Sequence, residues 1–224
     1  MSATIERETA LLFDLDGTLL DTAPDLVAAV NHARKELLSL PPLPIDMLRP
    51  VVAAGTQAMV FIGTNQTSDS RLADDFRHSM LEFYAGHIAV ETRPFDGIDD
   101  LLDYLDAENR PWGIVTNKLS HFAGPILDQL ALTPRAACLI CADMAAQPKP
   151  APDTLLLAAR ELKLAPHYCA YVGDAATDMA AARNAGMLAI AAEWGYLSAD
   201  DPIENWSYDL RCRTPRELLR WTSQ

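Results

Sequence analysis

Lysine is scarce in this chain. Its 224 residues hold only Lys35, Lys118, Lys149 and Lys163 within 18 Lys+Arg, against 31 Asp+Glu, for a formal net charge of -13. So acidic a chain is not expected to partner nucleic acid or an anionic membrane. A small anionic substrate is still allowed, because a metal and one or two placed cations set the local field. Cysteine is also sparse, at four residues, which excludes a disulfide framework. Cys138 and Cys141 spell C-x-x-C, but residues three apart on a strand face opposite sides and no second pair follows, so buried core thiols are expected. No apolar run approaches the ~18 residues of a membrane span, and the N-terminal M-S-A-T-I-E-R-E-T has neither a basic nor an apolar leader segment. A cytoplasmic protein is expected. Internal repeats and low-complexity segments are missing too, which removes solenoids and disordered arrays.

What is present is enough apolar residue, 50% of the chain, for one large domain or a core with an insert. The most informative stretch is A-L-L-F-D-L-D-G-T-L-L-D-T, from Ala10 to Thr22. Four small or apolar residues run into Asp14 and Asp16, and Gly17 and Thr18 then break the run, which predicts a short buried strand ending in a turn. Carboxylates at i and i+2 on a strand point the same way and repel, and a hard divalent cation such as Mg²⁺ relieves that repulsion. A carboxylate is also a competent nucleophile toward phosphorus, with a neighbouring carboxyl to carry protons. An acidic strand-to-turn segment without chemistry has the same appearance.

From Asp21 to about Ile88 the apolar period becomes helical. Pro24 opens a segment in which Leu26, Val27, Val30, Ala33, Leu37 and Leu38 recur near a ~3.6 period, and P-P-L-P at Pro41 to Pro44 ends it. A second segment, Ile45 to Ile62, is interrupted at Gly55, and a third runs from Asp69 to about His87. Three helices without a strand predict an all-α insert over residues 21–88. It would join the core, residues 1–20 plus 89–224, through connections near Leu20–Thr22 and Ala89–Phe95. After it, helix and strand alternate: helices over Ile98–Glu108, Phe122–Leu130, Thr154–Leu162 and Thr177–Asn184, strands ending at Thr116, Cys141, Val172 and Ala192. The expected class is α/β, a doubly wound parallel sheet with an inserted all-α domain. Such sheets bind ligands beyond the carboxyl ends of their strands.

Further polar residues fall at those ends. Thr116, Asn117 and Lys118 offer a hydroxyl and backbone N–H groups to a phosphate, although Thr116 would equally suit a helix cap. Lys149, between prolines in Q-P-K-P-A-P-D, sits on a stiff segment that suits a placed cation or a plain surface loop. Asp174 and Asp178 end the fourth strand in G-D-A-A-T-D, where each alone could cap a helix.

In this order, D-L-D-G-T-L, V-T-N-K, K-P-x-P-D and G-D-x-x-x-D resemble the four signatures of the haloacid dehalogenase superfamily. The resemblance implies a Rossmann-like core with a helical cap and a Mg²⁺-dependent phosphatase. In it Asp14 is the nucleophile, Asp16 the acid and base, and Thr116 and Lys149 hold the phosphoryl group. It also implies a metal site from Asp14, Asp16 through its backbone carbonyl, and Asp174, with Asp178 orienting the metal's neighbours. Nearly the whole chain is similar to the phosphoglycolate phosphatase branch, implying 2-phosphoglycolate as substrate. T-R-P-F-D-G and A-G-T-Q-A-M resemble relatives acting on N-acetylmuramic acid 6-phosphate. C-A-D-M-A-A-Q before Lys149 departs from the usual Gly-Asp and short loop. Asp16 argues against a metal-free dehalogenase, and a cap whose one lysine is Lys35 argues against a Schiff-base phosphonatase. A sugar phosphomutase and a non-catalytic phosphate-binding module stay open. Substrate contacts are expected at Asn117 and, in the insert, at Arg49, Gly55, Thr56 and Gln57. The expected partner is a small phosphorylated metabolite, and the expected assembly a monomer or homodimer.

Overall fold

The computed structural model describes residues 9–66 and 68–223. Of the N-terminal stretch considered above for a leader segment, residues 1–8 lie outside them. Among the described residues no helix is long and apolar enough to cross a membrane.

By its internal packing the chain divides into two units, residues 1–20 with 94–224 and residues 21–93. The first starts with strand β1 (Ala10–Phe13), whose four residues are all buried, as a strand flanked on both edges inside a parallel sheet requires. The chain passes through the two-residue strand β2 (Leu20–Asp21) into the second unit, whose helices are α1 (Ala23–Leu38), α2 (Ile45–Val52), α3 (Thr56–Gly63) and α4 (Ser70–Gly86). It returns through β3 (Arg93–Pro94), which pairs with β2. There follow α5 (Ile98–Ala107), β4 (Trp112–Thr116), α6 (Ser120–Gln129), β5 (Leu139–Cys141), α7 (Asp153–Leu162), β6 (Cys169–Gly173), α8 (Ala176–Ala185) and β7 (Leu188–Ala192). Strand β8 (Leu210–Cys212) and helix α9 (Pro215–Thr222) close the chain.

The main sheet has the order β5-β4-β1-β6-β7-β8, with parallel neighbours throughout. From β1 the chain builds outward through β4 and β5 on one side and through β6, β7 and β8 on the other. Because right-handed crossovers then place helices on opposite faces, this is the doubly wound α/β arrangement expected, and its order reverses at β1. Register aligns the ends: Phe13 lies opposite Ile114 on one side and Val172 on the other. Asp14 and Asp174 therefore follow β1 and β6 while Thr116 ends β4, which places all three at the carboxyl ends of adjacent strands. Beneath them Leu12, Val115, Ile140, Leu155, Tyr171 and Met179 belong to one buried cluster.

In residues 21–93, α1 packs against α2, α3 and α4. Its buried residues Leu26, Val27, Val30 and Ala33 belong to the helical period, whereas Leu37 of the same period is exposed near the helix end. Among its described residues the unit has four helices where three periodic segments were expected. The reason is Gly55, whose φ of 84° is left-handed and open to glycine without steric cost, so α2 ends at Val52 and α3 starts afresh at Thr56. Arg34 is buried at 3% exposure and donates through Nη1 to Gly63 O at 2.6 Å and through Nε to Pro41 O at 3.1 Å. It thus satisfies carbonyls at the ends of two connections that no helix would satisfy.

Candidate active site

Asp14 stands where β1 ends. Its amide still donates to Val172 O at 2.9 Å as the last rung of the sheet, while its Oδ1 accepts from Leu15 N at 2.8 Å. Lys149 is 5% exposed, and its Nζ lies 2.9 Å from Asp14 Oδ1 and 2.7 Å from Asp178 Oδ1. The other Asp178 oxygen accepts from Ala175 N at 3.0 Å, capping the first turn of α8, so both ends of that carboxylate are engaged.

Lys149 owes its place to Asn117. The Asn117 amide donates to Lys149 O at 3.1 Å and its Oδ1 accepts from Lys149 N at 2.9 Å, a two-way clasp between the loops after β4 and β5. The side chain expected at the ligand is thereby spent on the backbone of the cation. Thr116 is 1% exposed, and its Oγ1 accepts from Lys118 N at 3.1 Å. The unusual loop before Lys149 steadies the neighbouring helix, since Asp143 accepts from Ser120 N at 3.0 Å and Ser120 Oγ at 2.6 Å and so holds the start of α6.

Asp174, at the end of β6, is 2% exposed. Thr18 Oγ1 donates to its Oδ1 at 2.9 Å and Tyr196 N to its Oδ2 at 2.8 Å. The turn carrying Thr18 needs Gly17, whose φ is 86° and where a Cβ would run into the Asp174 carboxylate and the Tyr196 ring. Ligand atoms of Asp14, Asp174 and Asp178 all lie within 4.8 Å of one another, so this trio could hold a metal ion. The Asp16 carboxylate is not among them. It turns instead to Lys118, whose Nζ is 2.8 Å from Asp16 Oδ1 on a side chain only 8% exposed. Two of the chain's four lysines are thus committed to one acidic cluster.

Four carboxylates then face two ammonium groups, and a formal excess of negative charge remains beside the buried strand ends. Burial first, opposed by Lys149 and reinforced by the Asp178 charge, pushes the Asp14 carboxyl up to about 6. For Asp174, burial and then the charges of Asp14 and Asp178 push it well above the usual carboxylate range, against the Tyr196 and Thr18 hydrogen bonds. Burial by itself would lower Lys149, but Asp14 and Asp178 outweigh it and hold the ammonium charged. Buried oxygen donors with uncompensated charge fit a hard divalent cation.

The four insert candidates lie in residues 21–93 and are described there alone. Arg49 Nη1 pairs with Asp21 Oδ1 at 2.7 Å, Gly55 and Thr56 form the start of α3, and Gln57 is exposed. Sequence reasoning missed the partnership of Lys118 with Asp16 and the clamp on Asp174. The lysine in V-T-N-K was a visible signal for the first, whereas a backbone amide from Tyr196 leaves none.

A family model described as haloacid dehalogenase-like hydrolase matches residues 8–186. The N-acetylmuramic acid 6-phosphate phosphatase of Pseudomonas aeruginosa is 38% identical, over 95% of this chain and 94% of its own. A phosphoglycolate phosphatase of Xanthomonas campestris pv. campestris is 41% identical over 93% of this chain and 94% of its own. Among solved structures, a haloacid dehalogenase-like family protein from Streptococcus pneumoniae superposes with a TM-score of 0.80 at 25% identity, covering 95% of this chain and 97% of that one. The chain belongs to the haloacid dehalogenase-like hydrolases.

Proposed function

We propose that the protein is a Mg²⁺-dependent phosphatase that hydrolyses a small phosphate monoester through an aspartyl-phosphate on Asp14. The observation that carries this reading is the buried Lys149 ammonium, 2.9 Å from Asp14 Oδ1 at the ends of three adjacent parallel strands. Asp14 attacks phosphorus as the bond to the leaving oxygen breaks, and Lys149, Thr116 and nearby backbone amides stabilise charge on the phosphoryl oxygens. Asp16 gives its proton to the leaving oxygen, then takes one from the water that attacks the aspartyl-phosphate and restores Asp14. Lys118 keeps the Asp16 carboxyl in place between the two steps. When bound, Mg²⁺ polarises the phosphoryl oxygens and offsets the excess negative charge; Asp14, Asp174 and the Asp16 backbone carbonyl would hold it. Asp178, with both oxygens engaged, serves as the anchor of Lys149.

The substrate we assign first is 2-phosphoglycolate, after the Xanthomonas relative's name. The Pseudomonas relative's name supports a second reading, N-acetylmuramic acid 6-phosphate. In either case residues 21–93 form the cap, and Arg49, Gly55, Thr56 and Gln57 are its candidates for substrate selection. Phosphate release measured with Mg²⁺ on 2-phosphoglycolate, N-acetylmuramic acid 6-phosphate and an aryl phosphate tests the proposal. Turnover strongest on the first supports the assignment, turnover strongest on the second replaces it, and no release on any of them contradicts a phosphatase.

A further inference from the structure

Lys149 has three N–H donors and three acceptors in reach: Asp14 Oδ1 at 2.9 Å, Asp178 Oδ1 at 2.7 Å and, from the middle of β6, Tyr171 Oη at 2.7 Å. The phenol is fully buried and lies in the core cluster beneath the site. An ammonium only donates, so the phenolic hydrogen must go elsewhere, and Val115 O accepts it at 2.7 Å, whereas Asp178 Oδ1 is 3.5 Å away. Val115 immediately precedes Thr116. The hydroxyl therefore ties the ammonium to the strand that presents the phosphate-facing threonine.

The three acceptors are not equivalent during turnover. Asp14 gives up its negative charge when its oxygen bonds to phosphorus, which removes one of the two carboxylates that hold Lys149. The Tyr171 hydroxyl is neutral and accepts through an oxygen that takes part in no bond change, so its hold on the ammonium does not depend on the charge that Asp14 loses. Leucine, valine or phenylalanine would fill a buried parallel strand without a polar atom to satisfy, so a phenol there needs a reason. We propose that Tyr171 is a positioning residue, which fixes the Lys149 ammonium against β4 so that it meets the transferring phosphoryl group while the charge of Asp14 is being consumed. This assignment rests on the phosphatase reading given above.

Replacing the phenol by the conservative Tyr171→Phe tests it. The variant keeps the ring and the charge of Lys149, so attraction of the substrate phosphate is retained while orientation in the transition state is loosened. With an aryl phosphate and Mg²⁺ we expect kcat to fall roughly tenfold or more with KM changed less than about threefold. In a Lys149→Arg background the same change should cost almost nothing further, since the ammonium it positions is gone. A lowered melting temperature with unchanged kcat in the folded Tyr171→Phe protein would reduce the residue to packing and overturn the proposal, as would an equal loss in both backgrounds. Should Lys149→Arg not fold, the kcat and KM of Tyr171→Phe decide alone. Full activity of Lys149→Arg would instead contradict the role of Lys149 in the phosphatase reading, a failure distinct from that of Tyr171.

Discussion

As the proposed nucleophile Asp14 would have to be ionised, yet its surroundings favour the proton, since burial, ahead of every other cause, lifts the group to about 6 from an ordinary 3.8. The sign of the linkage follows. A carboxyl raised on folding binds more protons in the native than in the unfolded state, so its contribution to stability is full below 3.8 and is lost as pH rises through about 6. A divalent cation competes with those protons and restores what is lost. Mg²⁺ should therefore raise the melting temperature more at pH 7.5 than at pH 5, read by calorimetry on the protein with and without chelator. An equal shift at both pH values would mean that the cation binds somewhere other than the Asp14 and Asp174 cluster. The same residues show how much of the site sequence can convey. Asp14, Thr116 and Asp174 announce themselves because each stands at the end of a strand whose apolar run is visible, and Lys149 because prolines flank it in the loop after β5. Tyr171 does not, because an aromatic residue inside a buried strand looks like core until its hydroxyl is seen between Lys149 and Val115.

Strand β5 carries the C-x-x-C pair beside it, and the fold makes core thiols of both. All four cysteines are free and buried, and burial above all pushes Cys138, Cys141 and Cys212 up to about 12 and Cys169 up to about 11. A thiol reagent at pH 8 should accordingly label none of them in the native protein and all four in denaturant; fast native labelling of Cys138 or Cys141 would contradict their burial. Helix α1 is held by a different device. Asp25, 4% exposed, accepts from Glu91 N at 2.9 Å, Thr92 N at 3.1 Å and Thr92 Oγ1 at 2.7 Å, which fastens the start of the helix to the returning chain. Asp25→Ala leaves those donors without a partner and should cost about 2–4 kcal/mol in urea unfolding. A change below about 0.5 kcal/mol would show that water replaces the carboxylate. Elements of this kind differ in how plainly they are written. Strand β7 and the end of β4 follow from apolar runs bounded by turns, whereas β2, β3 and β8 have two or three residues each and carry no period to detect. Helix α9 escaped for a related reason, since its buried residues include Pro215 and Thr222 alongside a single leucine, Leu218.

For the molecule as a whole, division of labour between the two units is the remaining part of the proposal. If residues 21–93 select the substrate, exchanging Gln57 for Ala should reorder kcat/KM among phosphate monoesters while hydrolysis of a small aryl phosphate, which needs few contacts outside the reacting group, changes less than about threefold. Uniform loss on every substrate would assign Gln57 to stability. The central claim, that Asp14 itself carries the phosphoryl group, is tested most directly by quenching the enzyme in acid during turnover, reducing the acyl phosphate with borohydride and sequencing the peptides by mass spectrometry. Reduction should convert residue 14 to homoserine in the wild-type protein and leave no trace in a folded Asp14→Asn variant, whose turnover should fall by about three orders of magnitude or more. A modified residue elsewhere, or steady turnover with Asp14 unmodified at every quench time, would contradict it.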